Sequence, residues 1–337
     1  MPAAALLLLL LPALASGQPL PRDDSARVER VGDGVYVILH DDATDEWPHG
    51  NTGIVVGSDA VAVIDSTYLP SRAKADIALI RALTDVPVRY LVNTHWHFDH
   101  NNGTSAYRDG FPGISVVSER ETAGFIAVNQ AYWSKMSTAP GSARRTALAD
   151  LAPAVRARRE RELDELAVLR IITPDLVFDG ALTLPLGNRR LELRDMGRAN
   201  SPHDVSAYLP DERILFTGDI VVQSPLPYPF GSFPVPWIEV LRTIEAMPTA
   251  ALVPGHGPVM RHHRYTAQVR ALLEAATSRV ADLVREGKTL EQVQNTIDLT
   301  DVRQAVEPWR APALDKDWKD VIAALIERAW RGVRGQG

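Results

Sequence analysis

The sequence predicts a layered α/β protein, and two observations carry that class. Short apolar runs rich in β-branched residues recur along the chain, and segments with apolar residues at helical spacing lie between them. The 337 residues are 45% hydrophobic and 23% charged, ordinary proportions that leave ample material for a large core.

Taken in order, a polar stretch (18–30) precedes a first strand at residues 34–40, Gly-Val-Tyr-Val-Ile-Leu-His. Residues 53–57 and 60–65 read as two more strands around a Ser58-Asp59 turn, completing a meander with one face buried. A helix is expected over 71–83 with Ser71 as N-cap, then a short strand over 88–92 opened by Pro87. Residues 119–170 are charged and largely helical, broken near Ala139-Pro140-Gly141, and read as an insertion with a solvated face. Strand signals return at 182–184, 191–193, 205–209 and 213–216, with Pro210-Asp211-Glu212 as the turn between the last two. An amphipathic helix over 237–247, a buried strand at 251–253 and a helical region over 261–334 complete the chain, with Leu272, Leu273, Leu283 and Val284 as core positions. His262 and His263 fall at a helix start and carry no role.

Net charge is −6, which gives no reason to expect nucleic-acid or anionic-membrane binding. With no Cys there is no disulfide, no thiolate ligand and no cysteine nucleophile. Residues 3–15 are Ala and Leu apart from Pro12 and end in Ala13-Leu14-Ala15. They read as a signal peptide (1–15), too short for a transmembrane span, although no Lys or Arg precedes Arg22. Export to a periplasm or to the outside is therefore the expectation.

The segment His95-Trp96-His97-Phe98-Asp99-His100 directly follows the strand ending at Val92 and holds three of the nine histidines. Imidazole nitrogens and a carboxylate at that density suit zinc and related divalent metals. His95 and His97 can point one way, while Asp99 and His100 reach a second position nearby. Further strands end in Thr217-Gly218-Asp219 and Pro254-Gly255-His256-Gly257, and a polar loop spans 197–204. Strand ends gather along one sheet edge, so these segments are candidates for one site.

This ordered set, His-x-His-x-Asp-His (95–100), the polar loop, Tyr-Leu-Pro to Thr-Gly-Asp (208–219) and Pro-Gly-His-Gly (254–257), resembles the metallo-β-lactamase superfamily of hydrolases. The resemblance covers about residues 30–260. It implies a four-layer αββα sandwich of two mixed β-sheets over 28–260, with the insertion at 119–170 and a helical extension at 261–337. It also implies zinc as cofactor, one or two ions, with iron or manganese as alternatives. His95 and His97 would ligate the first metal, Asp99, His100 and His256 the second, with Asp219 bridging and Asp65 supporting the metal loop from behind. The chain departs from the family at one point, because Asn200 stands where a third first-metal histidine is usual. Asn200 can offer an amide oxygen, His203 can replace it, or the first site is depleted.

The implied chemistry is attack by water on an amide, ester, lactone or thioester of a small-molecule substrate, β-lactamase-like, with Asp99 orienting the water. No Gly-x-Ser-x-Gly turn competes as nucleophile. Trp47, before the strand at 53–57, and Tyr228, Phe230 and Phe233 in a Pro-rich stretch are candidates for the pocket wall. Two other readings are a mononuclear iron enzyme similar to the sulfur dioxygenases and a non-catalytic metal-binding protein. Oligomeric state is left open.

Overall fold

Eight strands form the first sheet of the computed structural model, which describes residues 22–23, 26–40, 48–223 and 226–336. Within the insertion helix the side chains of 129–131, 133–134 and 137 are excepted; the expected signal peptide (1–15) and Trp47 lie outside the described residues. Strands β1 (Arg22–Asp23), β2 (Ala26–Gly32), β3 (Val35–His40), β4 (Thr52–Val56) and β5 (Val61–Ile64) are antiparallel neighbours in chain order. Helix α1 (Pro70–Leu83) then carries the chain over the sheet to β6 (Val88–Val92). The short helices α2 (Phe98–Asn101) and α3 (Thr104–Gly110) lead to β7 (Ser115–Glu119). The insertion, α4 (Arg120–Thr138), α5 (Ala143–Thr146) and α6 (Pro153–Ala167), leads to β8 (Leu176–Phe178). Because each of these connections is a helical crossover, β5 to β8 run parallel.

The second sheet has the order β13-β12-β11-β10-β9. It comprises β9 (Ala181–Pro185), β10 (Arg190–Asp195), β11 (Val205–Leu209) and β12 (Ile214–Phe216), with β13 (Ala251–Val253) parallel to β12 after the crossover helix α7 (Pro234–Ala246). Helices α8 (Arg264–Arg285), α9 (Leu290–Thr296), α10 (Thr300–Ala305) and α11 (Asp315–Val333) follow. Among the described residues no helix is long and apolar enough to cross a membrane.

Apolar side chains of the two inner sheet faces, Val37, Leu39, Val55, Ile64 and Val92 against Leu193, Val205, Ala207 and Phe216, form one dry core. The outer face of the first sheet is covered by α1 and α3 through Ile77, Ile80 and Tyr107. That of the second is covered by α7, α8 and α11 through Trp237, Leu241, Leu272 and Leu325. The result is the four-layer αββα sandwich.

Two local expectations are corrected, and one strand was not anticipated. The stretch read as polar contains β2, where Ala26 and Val28 are buried and Arg27 is exposed, so its polar residues are the solvent face of a half-buried strand. Ser71 is not the N-cap of α1: Leu69 is, Pro70 occupies the first turn, and the Ser71 amide donates to the Glu165 carboxylate of the insertion. Strand β8, three residues long, is too short to show a period in the sequence.

Candidate metal centre

Strand β6 delivers the histidine segment onto a loop held from below by Asp65. This carboxylate ends β5 in the left-handed backbone region, φ 63°, a conformation uncommon for any residue with a side chain. There it accepts the Thr94 amide at 2.8 Å on Oδ1 and the Thr94 hydroxyl at 2.8 Å on Oδ2. Its Oδ2 also faces His100 Nδ1 at 2.8 Å, which leaves His100 Nε2 aimed into the site. Thr94 Oγ1 lies 3.0 Å from His95 Nδ1 and so fixes that ring in the same sense. Asn101 Nδ2 donates to the carbonyls of His97 at 2.7 Å and His95 at 3.3 Å, closing the loop on itself.

The opposite wall comes from the second sheet. Asp219 follows β12 and His256 follows β13, and parallel pairing of those strands sets the two loops side by side. Glycine is required twice, because a Cβ at Gly255 would collide with the Asp219 carboxylate and one at Gly50 with the His100 ring. Asn51 binds the two sheets together, its Nδ2 donating to the carbonyls of Pro254 and Gly257 at 2.9 Å each.

Two groups of ligand atoms result. His95 Nε2 lies 3.0 Å from His97 Nδ1 and 3.6 Å from Asp219 Oδ2. His100 Nε2 lies 3.1 Å from Asp219 Oδ1, 3.2 Å from His256 Nε2 and 3.4 Å from Asp99 Oδ2, with His256 Nε2 2.9 Å from Asp99 Oδ2. Within each group the atoms lie within 4.8 Å of one another, and Asp219 belongs to both.

Burial, then the charge of His100, holds His95 well below the usual imidazole range; burial also lowers His97. Burial pushes His100 down too, but Asp219, Asp99 and Asp65 outweigh it and hold it well above. Asp99 and Asp219 are raised by burial and drawn below the carboxylate range by His100 and His256. Ionised carboxylates and neutral His95 and His97 are the states a divalent metal needs, whereas at His100 a cation would have to replace the proton that the three carboxylates favour.

Asn200 is fully buried beside Tyr228, its Nδ2 donating to the Tyr228 carbonyl at 2.7 Å. Among the described residues its Oδ1 has no hydrogen-bond partner, and Asp219 Oδ1 faces only the imidazole nitrogens of the cluster. Buried acceptors left open in this way fit a site built for a cation. His203 is not brought to the cluster. Its Nδ1 lies 3.2 Å from Asp195 Oδ2 and 4.0 Å from Glu119 Oε2, a separate group at the edge of the insertion. The loop backbone is held as it stands, Thr122 Oγ1 donating to the His203 carbonyl at 2.9 Å and the Ser201 amide to Asp204 Oδ2 at 2.8 Å.

Tyr228 and Phe230 stand at the mouth, 53% and 41% exposed, with ring centres 4.5 Å apart. Phe233 does not join them: it caps α7, and its ring faces the guanidinium groups of Arg198 and Arg328, 5.0 Å away in each case. Two residues that sequence reasoning missed complete the rim. Tyr68, packed near Phe98 at 6.5 Å, is hydrogen-bonded to Arg144 of α5, and burial raises its hydroxyl pKa. Leu148, Leu163 and Leu166 press the insertion onto Tyr68 and Leu69. Nothing in the spacing of these residues announces such a contact, since more than seventy positions separate Tyr68 from Arg144.

Comparison with known proteins agrees with this geometry. The linear primary-alkylsulfatase of Pseudomonas sp. (strain ATCC 19151) is 20% identical over 249 residues, 68% of this chain and 45% of that protein. Among solved structures, a metallo-beta-lactamase from Pontibacter korlensis aligns with a TM-score of 0.56 and 20% identity, over 74% of this chain and 99% of that one. The stereoselective inverting sec-alkylsulfatase Pisa1 from Pseudomonas sp. aligns with a TM-score of 0.66 and 17% identity, over 91% of this chain and 50% of that one. The chain thus spans about half the length of these two alkylsulfatases. The model of the metallo-beta-lactamase superfamily matches residues 45–287, a span that contains both ligand groups and most of the two sheets. The chain belongs to that superfamily.

Proposed function

We propose that the protein is a zinc-dependent hydrolase with a dinuclear centre, cleaving an amide, ester, lactone or thioester bond of a small molecule. One observation carries this reading: two buried groups of ligand atoms share a single carboxylate, Asp219. His95 and His97 would hold one ion and Asp99, His100 and His256 the other. Divalent ions bound there supply a lowered pKa for water and an electrophile for the scissile oxygen. The chain's own residues do the rest. Where it does not fully engage the metal, Asp99, whose Oδ2 lies between His256 and His100, would orient the water or accept its proton. Asp65 and Thr94 keep His100 and His95 in one ring orientation, so little reorganisation accompanies reaction. Tyr228, Phe230 and Tyr68 border the mouth and would orient the substrate.

The test is metal content and hydrolysis measured together. Protein purified without added metal should carry about two zinc per chain and hydrolyse at least one of a chromogenic β-lactam, a lactone and a thioester, with His97→Ala inactive. One iron per chain would support the oxygenase reading instead, and no bound metal would overturn both.

A second reading is hydrolysis of alkyl sulfate esters. It is favoured by the alignment with the sec-alkylsulfatase, which takes in 91% of the chain against 74% for the lactamase. Release of inorganic sulfate from an alkyl sulfate decides between the two. Export by the leader at 1–15 completes the proposal, and the N-terminal residue of the mature protein tests it.

A further inference from the structure

His40, the last residue of β3, lies outside both ligand groups. Its ring and the carboxylate of Asp76 on α1 are fully buried. His40 Nε2 lies 3.1 Å from each oxygen of Asp76, and Nδ1 lies 2.8 Å from the Gly50 carbonyl. A carbonyl oxygen only accepts, so Nδ1 carries the hydrogen and donates to it. Asp76 is held in turn by Thr52 Oγ1 at 3.1 Å and by Arg72 Nε at 3.3 Å. An imidazole, a carboxylate and a guanidinium cost more to withdraw from water than apolar side chains of the same volume, so filling the core does not account for them.

What the ring holds is the segment that braces one of the two metal positions. The Gly50 carbonyl and the Asn51 amide belong to one peptide plane. His40 fixes the oxygen of that plane, and the Gly255 carbonyl accepts its N–H at 2.7 Å. Gly255 directly precedes His256. On its other side Gly50 donates its amide to the Asp99 carbonyl at 3.0 Å, and it lies so close to His100 that a Cβ would collide with the ring. Two adjacent residues thus touch Asp99, His100 and the loop of His256. His95 and His97 are held from elsewhere, by Thr94 and Asn101.

We propose that His40 and Asp76 are positioning residues for the second metal. Asp76 anchors the ring, and the ring orients the Gly50–Asn51 peptide that sets the loops of Asp99, His100 and His256 against one another. The proposal rests on the reading of those three residues as ligands of one ion. A planar peptide turns as a unit, so losing the bond at its oxygen also loosens its hold on the Gly255 carbonyl.

Two substitutions at one position test this, because each keeps one of the two bonds. Asparagine places its amide nitrogen near the position of Nδ1 and can still donate to Gly50; glutamine places it near Nε2 and can still reach Asp76. Zinc affinity is read by chelator competition in the full chain carrying His97→Ala, which leaves the second position as the reporter. His40→Gln should weaken binding about tenfold and His40→Asn less than about threefold. Thermal unfolding of the metal-free chain should rank the two the other way, since His40→Asn strips the buried Asp76 of a partner. A merely structural role gives the same order in both measurements. Asp76→Asn weakens the anchor without removing the ring and should fall between the two in zinc affinity; binding unchanged by it overturns the part given to Asp76. Equal zinc affinity in the two His40 variants, or tighter binding by His40→Gln, overturns the proposal. A His97→Ala chain that holds no zinc overturns the assignment of Asp99, His100 and His256 to one ion, and this proposal with it.

Discussion

The two loops that face each other across the metal centre are built to different standards. In the loop after β6, His95 and His100 each have a ring nitrogen held by Thr94 or Asp65, and Asn101 staples the backbone. In the loop before β11, Asn200 is held by one hydrogen bond through its nitrogen, and its oxygen is left open. The same loop buries Asp204, whose carboxyl is pushed up to about 7 mainly by burial, although the Ser201 amide donates to it. The second ligand group holds two imidazoles and two carboxylates, while the first holds two imidazoles and the shared carboxylate. The contrast teaches that the two metal positions need not be equally tight.

Asp219→Ala removes the one carboxylate common to both groups and should give the largest effect. Metal content should fall below one ion per chain and hydrolysis by more than about a hundredfold. Retention of both ions in elemental analysis would show that the groups are independent. Asp65→Asn sharpens the comparison from the strong side. Freed of its carboxylate partner, His100 loses orientation, and second-metal affinity measured by chelator competition should drop about 10–100-fold, more than at the first, whose His95 is reached only through Thr94.

Asp204 gives a pH signature to the weaker loop. Its folded pKa is raised, so the unfolded chain releases the proton first and stability falls as pH rises from about 4 to about 7, then levels off. Between pH 5 and 8 the loss should be about 3 kcal/mol in denaturant unfolding, and Asp204→Asn should flatten that profile. An unchanged profile would mean that another group carries the dependence. The smallest effect is expected from Asn200→His, which restores an imidazole and should tighten the first metal by about tenfold without altering the second. Equal tightening of both would remove the asymmetry argued here.

Much of the centre was legible in the chain because its ligands sit at strand ends, where a local apolar run announces the strand and the polar residue after it is conspicuous. Asp65, His95 to His100, Asp219 and His256 are all of this kind, and the structure gathers them. His203 was misleading for the same reason: a histidine in the right loop looks like a ligand, but it turns to Asp195 and Glu119. Phe233 lies close to Tyr228 and Phe230 in sequence, yet the start of α7 turns its ring away to two arginines. Tyr68 and Arg144 gave no sign at all, since their contact exists only because the insertion folds back over the metal loop.

By itself, then, the chain determined the chemistry of the ligands and the layered α/β class, because donor type belongs to the side chain and strand or helix period is local. Tertiary structure decided that Asp219 serves both groups, that Asn200 and not His203 lies against the Tyr228 side of the site, and that Phe233 lies beside Arg198 and Arg328, not at the mouth. Those facts depend on parallel pairing of β12 with β13 and on loops held by residues distant in sequence, contacts that no local pattern encodes.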